Sequence, residues 1–285
     1  MLTDPEARGR AVDRAYEMAE EGDWEGSADA LRALLEEDAD DVTVLCALGV
    51  VETALGMEGI GYERFRRALE IGIEDPELLA TAGAGLARFD DPDAEAALRT
   101  ATLLGPTLAR PRWLYGGYLA REGFREDALK ELDEAIRLDP DEPLAFLERG
   151  VARSLAEQRE GALDDFYQAS ALDPEDPWAR ILVGLALIEA DRADEAAADL
   201  VVGARLDPED MEAQVLAALA SASQGDEDTA WEMLERARTL ESEDADETAV
   251  AEVEELLEEG GDAAGAALKG SYGPRAFHAR LMTRP

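Results

Sequence analysis

Leu138-Asp139-Pro140, Leu172-Asp173-Pro174 and Leu206-Asp207-Pro208 decide the fold, because one tripeptide returns every 34 residues. Leu104-Gly105-Pro106 stands another 34 residues upstream and Leu240-Glu241-Ser242 another 34 downstream. Such a period implies stacked supersecondary units, each burying its apolar face against the next. With units at 42–75, 76–108, 109–142, 143–176, 177–210 and 211–244, the eighth place is Gly49, Gly83, Gly116, Gly150, Gly184 and Ala218. A later place is also small, holding Gly61, Ala94, Ala128, Ala162, Ala196 and Ala230. Four residues on comes a large apolar group (Phe65, Leu98, Leu132, Phe166, Leu200, Leu234), and three further on a small one (Ala68, Ala101, Ala135, Ala169, Gly203, Ala237). Spacings of four and three put these side chains on one helix face, and small residues let helix axes approach closely. Each unit therefore reads as two helices, broken in the middle by Gly56, Gly123 and Gly225. In Asp75-Pro76 and Asp176-Pro177 the Asp caps exposed amides and Pro occupies the first turn, where its missing N–H costs nothing.

The chain has 285 residues, with 27 Lys and Arg against 67 Asp and Glu, a formal charge of −40. Nucleic acids and anionic membrane surfaces would repel such a body, so neither is expected as a partner. At 46% hydrophobic residues the chain is nonetheless too apolar for a disordered acidic tail. Cys46 and His278 are the only residues of their types. A Cys/His metal cluster, a disulfide framework and a Cys–His dyad cannot be assembled from one of each, and no catalytic residue, metal or cofactor is expected. Met1-Leu2-Thr3-Asp4-Pro5-Glu6 lacks the start of a secretory signal, and no run reaches the roughly 18 uncharged residues of a spanning helix, so a cytoplasmic location without membrane insertion is expected. Lys130 and Lys269 are the only lysines and Asn is absent. Excess carboxylate with scarce Lys fits a protein kept hydrated in high salt, and equally a GC-rich genome. The run Glu241-Ser242-Glu243-Asp244-Ala245-Asp246-Glu247 lacks the central Gly of a calcium loop and reads as solvated turn.

The small–large–small pattern, the terminal Pro and the 34-residue period resemble the tetratricopeptide repeat (TPR) family over residues 42–244. Residues 1–41 look like a further, degenerate hairpin with Gly22-Asp23-Trp24 at its turn and Leu31 and Leu34 in its second helix. The unit 76–108 is one residue short, and the family's large residue at the fourth place gives way to Arg112, Arg180 and Gln214. In 245–270, Ala249, Val250, Val253, Leu256 and Leu257 form an apolar stripe opposite Glu252, Glu254, Glu255, Glu258 and Glu259, as the terminal cap of a solenoid requires. The expected fold is all-α, a right-handed α-solenoid of about seven TPR-like hairpins with a C-terminal capping helix and a basic tail at 271–285.

The resemblance implies that the first helix of each unit lines the concave side, where a peptide or amphipathic helix would bind. In 177–210 that helix is apolar nearly all round, with Trp178, Ile181, Leu182, Leu185 and Ile188; Val215, Leu216 and Leu219 follow in 211–244, and Leu147 and Val151 precede them in 143–176. Tight packing between repeats and an apolar groove both account for this surplus. A second candidate is the aromatic and cationic group Arg110, Trp113, Leu114, Tyr118 and Arg121, which suits an interface and equally suits core aromatics with Arg neutralising nearby acids. Arg64, Arg66 and Arg67 read as a solvated helix face, and Cys46 as a buried small residue. The third candidate is the tail. No acid follows Asp262, whereas Lys269, Arg275, Arg280 and Arg284 do, and Phe277, Leu281 and Met282 are spaced as a helical apolar face. The tail can fold back into the groove of this molecule or a neighbour, serve as a recognition peptide, or stay unstructured. One branch of the family clamps acidic C-terminal peptides through paired Asn with Lys and Arg, and a chain without Asn lacks that readout. The leading functional expectation is a non-catalytic protein-interaction scaffold or chaperone-like adaptor with a protein or peptide partner. The alternative is an assembly subunit that self-associates through its repeats and basic tail; an acidic mimic of nucleic acid and an enzyme stand further back.

Overall fold

The structure is a computed structural model that describes residues 5–240 and 249–283. The acid run 241–247, the first residues of the expected cap, Met1–Asp4, Arg284 and Pro285 lie outside the described residues. Every described element is helical. Helices pair in chain order: α1 (Pro5–Glu20) with α2 (Trp24–Glu37), α3 (Val42–Ala54) with α4 (Glu58–Ile71), and α5 (Pro76–Ala87) with α6 (Ala94–Leu104); α7 (Ala109–Arg121) and α8 (Arg125–Leu138) follow. Then come α9 (Pro143–Leu155) with α10 (Arg159–Leu172), α11 (Pro177–Glu189) with α12 (Ala197–Leu206), and α13 (Met211–Ser223) with α14 (Glu227–Leu240). Helices α15 (Ala249–Glu259), α16 (Gly261–Ala267) and α17 (Gly273–Met282) end the chain, the last two joined by a π-helical turn, Leu268–Tyr272. Two compact units divide within α7, one up to Tyr118 and one from Leu119, and each is described by itself.

Acids at the unit boundaries start the helices. Asp41 accepts from the amides of Thr43 and Val44, Asp75 from Glu77 and Leu78, Glu142 from Leu144, Asp176 from Trp178, and Asp210 from Ala213. Each such cap contributes about 1 kcal/mol, and a carboxylate there also faces the positive end of the helix dipole.

The middle turns repeat as strictly as the Pro. Gly22, Gly56, Asp90, Gly123, Glu157, Asp191 and Gly225 all have positive φ, between 52° and 89°, at intervals of 34 residues except for 33 between Asp90 and Gly123. The residue missing from 76–108 is thus lost after its turn, where α6 has 11 residues against 14 in α4 and α8. Glycine marks only four of these turns. Asp and Glu hold the others in a conformation that costs a non-Gly residue about 1–2 kcal/mol.

The glycine at the eighth place has a steric cause. A methyl group at Gly49, Gly83, Gly150 or Gly184 would approach Phe65, Leu98, Phe166 or Leu200, the large residue of the same hairpin, to 2.5, 2.9, 2.5 and 2.5 Å. The bulky side chain is packed onto the backbone of the opposing helix, so the two helices fit only with hydrogen at that place.

The fourth-place departures are accommodated by polar contacts. Arg112 donates to the Pro106 carbonyl, Arg180 to Asp199, and the buried Gln214 amide to the Ala204 carbonyl. Arg64 and Arg66 differ from the solvated face expected of them: Arg64 joins Arg32 on Glu52, which is 1% exposed, and Arg66 reaches the buried Asp91. Arg67, paired with Asp40, stays half exposed. In the second unit Asp165 is likewise buried and receives Arg149 and Arg153.

Two measurements test this construction. Glu157→Gly should raise stability by about 0.5–1 kcal/mol, seen as a higher urea midpoint at constant slope, because the turn's left-handed residue is relieved of its Cβ. Cys46 is wholly buried, and burial, with Asp41 and Asp75 adding negative charge, pushes its thiol up to about 12. Alkylation of native protein at pH 8 should therefore proceed only as fast as the first unit opens, and rapid labelling without denaturant would contradict the packing.

Candidate functional site

The second unit explains why α11 is apolar all round. From Ile181 to Ile188 every residue is buried. Helices α10 and α12 cover two sides of α11, and the C-terminal helix α17 covers a third. Leu147, Val151, Ile181, Leu182, Leu185, Val215, Leu216 and Leu219 belong to one core cluster together with Phe277 and Leu281 of the tail. The tail thus folds back on the first helices of its own chain.

The path of α17 follows from its sequence. Pro274 has no N–H to continue the α-helical ladder, and the Gly273 amide instead reaches back five residues to the Leu268 carbonyl, widening the turn. Gly273 lies so close to α11 that a methyl group would come within 2.9 Å of Ile188. Beyond it, Phe277, Ala276 and Leu281 are buried, with Phe277 edge-on to Phe166 at 6.4 Å between ring centroids. Removing Phe277 and Leu281 from water contributes about 1.5–3 kcal/mol each.

Two arginines supply the polar part of this seat. Arg280 is 5% exposed; its guanidinium lies 4.8 Å from the Trp178 ring centroid and donates to Asp210, with Glu212 at 3.4 Å. Arg121 donates to the Leu281 carbonyl at 3.1 Å, closing the C-terminal end of α17, and binds both oxygens of the buried Glu148 at 2.8 and 3.2 Å. Desolvated charges of this kind persist only when paired, and the planar guanidinium suits both the indole face and the carboxylate.

The other expected residues are placed differently. Arg110, Trp113, Leu114 and Tyr118 lie in the first unit, where Trp113 is buried, Leu114 and Tyr118 pack on the core, and Arg110 donates to Thr81 with Glu77 at 3.5 Å. Arg121, of the same sequence group, lies in the second unit and belongs to the seat of α17. Arg275 stacks on Tyr272 at 5.1 Å on the exposed side, and His278 is exposed. Asp210, Glu212 and Glu148, which hold the arginines, carry no mark of it in the sequence, because they stand at boundary or first-helix positions like many other acids. The one available signal was Arg280 itself, a cation set between Phe277 and Leu281 on an apolar face.

Beside the seat a cleft of about 370 Å³ remains open, floored by Leu144, Leu147 and Trp178 and rimmed by Glu142, Asp173 and Asp176. Burial raises the Asp176 carboxyl above its ordinary range, although the amides of Trp178 and Ala179 oppose this. The arrangement can accept a cation with apolar flanks. Among the described residues no group of His, Cys, Asp and Glu could hold a metal ion, and no helix is long and apolar enough to cross a membrane.

No family model matches the chain, and no curated protein matches it. Solved structures do. The chain is 18% identical to a chain of the APC/C hetero-tetramer Cut9–Hcn1 over 85% of its own length and 48% of that chain, with a TM-score of 0.65. It is 20% identical to PilF of Pseudomonas aeruginosa over 76% of its length and 97% of that chain, with a TM-score of 0.57. With PilW, a type IV pilus biogenesis factor, the figures are 19%, 83%, 94% and 0.53. At these identities the likeness is one of fold, the all-α fold of consecutive TPR hairpins.

The pair Arg121–Glu148 gives a test of the seat. Arg121→Met alone should cost about 3–5 kcal/mol in urea unfolding, because it strands a buried carboxylate, whereas Arg121→Met with Glu148→Leu should recover most of that loss.

Proposed function

We propose that this chain is a non-catalytic protein-interaction scaffold whose first-helix face holds an amphipathic helix of a protein partner. The observation that carries the reading is the seat of α17: the second unit already binds a ten-residue amphipathic helix across α9 and α11, through Phe277 and Leu281 on apolar ground and Arg280 on Trp178, Asp210 and Glu212. That is the chemistry of helix-in-groove recognition, with an arginine and an indole as anchors. The acids elsewhere on the chain serve as helix caps and as solvated exterior, which keeps a scaffold soluble and repels nucleic acid.

The test is a selection of helical peptides against the full chain, with the bound face read by hydrogen exchange. Binders should protect the first helices α9 and α11 and leave the second helices α10 and α12 unchanged. Protection confined to second helices, or no binder at all, would overturn the reading.

A further inference from the structure

We propose that α17 is a resident stand-in for the partner, and that the seat exchanges it for a helix of another protein carrying an aromatic residue, two intervening residues, an arginine and a large apolar residue. The inference rests on the reading of the first-helix face as a helix-binding groove.

The first argument is that closing the array does not account for α17. A solenoid needs its last apolar face covered, and α15 does this by packing on α13 and α14 while α16 packs on α13. Helix α17 turns back past that end to lie on α11 and reach α9, where no terminal face exists. It occupies the position of a ligand.

The second is the way it is held. Among the described residues its buried apolar side chains are Phe277, Ala276 and Leu281, and its polar anchors include the Arg280 ion pairs and the bond from Arg121 to the Leu281 carbonyl. The opposite face, with Arg275, His278 and Met282, is exposed. The connection to α16 is the π-helical turn, in which Gly270 has open space around it. A segment held by one face and by polar contacts of Arg280 and Arg121 beside such a turn has the build of a displaceable element.

The third concerns the occupant. Asp210 and Glu212, set beside Trp178, select a planar cation able to stack and pair at once, which favours arginine over lysine. The cleft beside Trp178, with acids Glu142, Asp173 and Asp176 above Leu144 and Leu147, is left unfilled by α17. A partner helix that adds a basic side chain there makes a contact α17 lacks, and so can compete with a tethered helix whose effective concentration is in the millimolar range.

The experiment uses the full chain and a labelled peptide of the sequence Ser271–Pro285. The wild-type chain should bind it weakly, and the Arg280→Glu chain about tenfold more tightly or better, since its own helix is repelled from the acid pair while the seat stays intact. The same peptide with Arg280→Glu should not bind. Hydrogen exchange on the wild-type chain needs no variant and guards against misfolding of Arg280→Glu: amides of α17 should exchange well before those of α11. Exchange of α17 and α11 as one unit would make α17 an integral part of the core and overturn the proposal. So would an Arg280→Glu chain that keeps α11 protected yet gains no affinity, and so would a doubled mass by light scattering, which would identify a second copy as the occupant. If selected helices bind the first-helix face while α17 stays protected, this exchange fails and the scaffold reading stands; if none binds, both fail.

Discussion

One contact, present in four of the hairpins, does most to set their geometry: a phenyl ring or isobutyl group of the second helix pressed onto the backbone of the first at Gly49, Gly83, Gly150 or Gly184. At Gly49, Gly150 and Gly184 a single added methyl would stand 2.5 Å from the opposing side chain. Because that separation leaves no slack, the pairing of helices within a hairpin is fixed to a fraction of an ångström, and so are the surfaces each hairpin offers to the next.

The acids are organised by the same repeat. Those at the unit boundaries cap helix starts, where a carboxylate satisfies amides that would otherwise face water. A few others, Glu52, Asp165 and Glu148, are withdrawn into the structure, and each is met by two arginines or by one in bidentate geometry. In a chain with 27 cations for 67 acids, such assignments are choices. Arginine meets these buried charges, while others, such as Arg67, Arg137 and Arg192, pair with exposed acids.

The repeat was legible in the sequence because its signals are local and recur: a glycine eight residues into a unit, a large residue in the following helix, an acid with Pro at the boundary. The small–large–small pattern recurs in six units, five with glycine at the eighth place and three opening on an acid with Pro, which makes chance agreement untenable. What stayed hidden is long-range or chemically disguised. The left-handed turns at Asp90, Glu157 and Asp191 carry no glycine, so only the backbone reveals that they continue the series of Gly56 and Gly123. The seat of the tail depends on Arg280 meeting Asp210, 70 residues away in the chain, and the repeat pattern gives Asp210 no mark that distinguishes it from the other capping acids. The apolar excess of α11 was visible, but two explanations fitted it, close packing and a groove. Close packing covers the surplus, and part of that packing comes from the chain's own end.

The physical character of that seat also bears on the charge. Exposed pairs such as Arg67–Asp40, at 51% and 63% side-chain exposure, are screened within about 8 Å at physiological ionic strength and contribute little. The Arg280 guanidinium, 5% exposed between an indole ring and two carboxylates, is screened far less. A strongly acidic surface attracts a cationic helix from a distance only while salt is low, whereas a desolvated arginine on Trp178 discriminates at contact under any ionic strength. The hold on α17 is therefore concentrated in a buried cation and its apolar neighbours, and the surrounding acids act at longer range, where salt screens them. A chain of this composition can keep such a contact in dilute or concentrated salt alike, which is why the acid excess, read alone, says so little about where the tail is held.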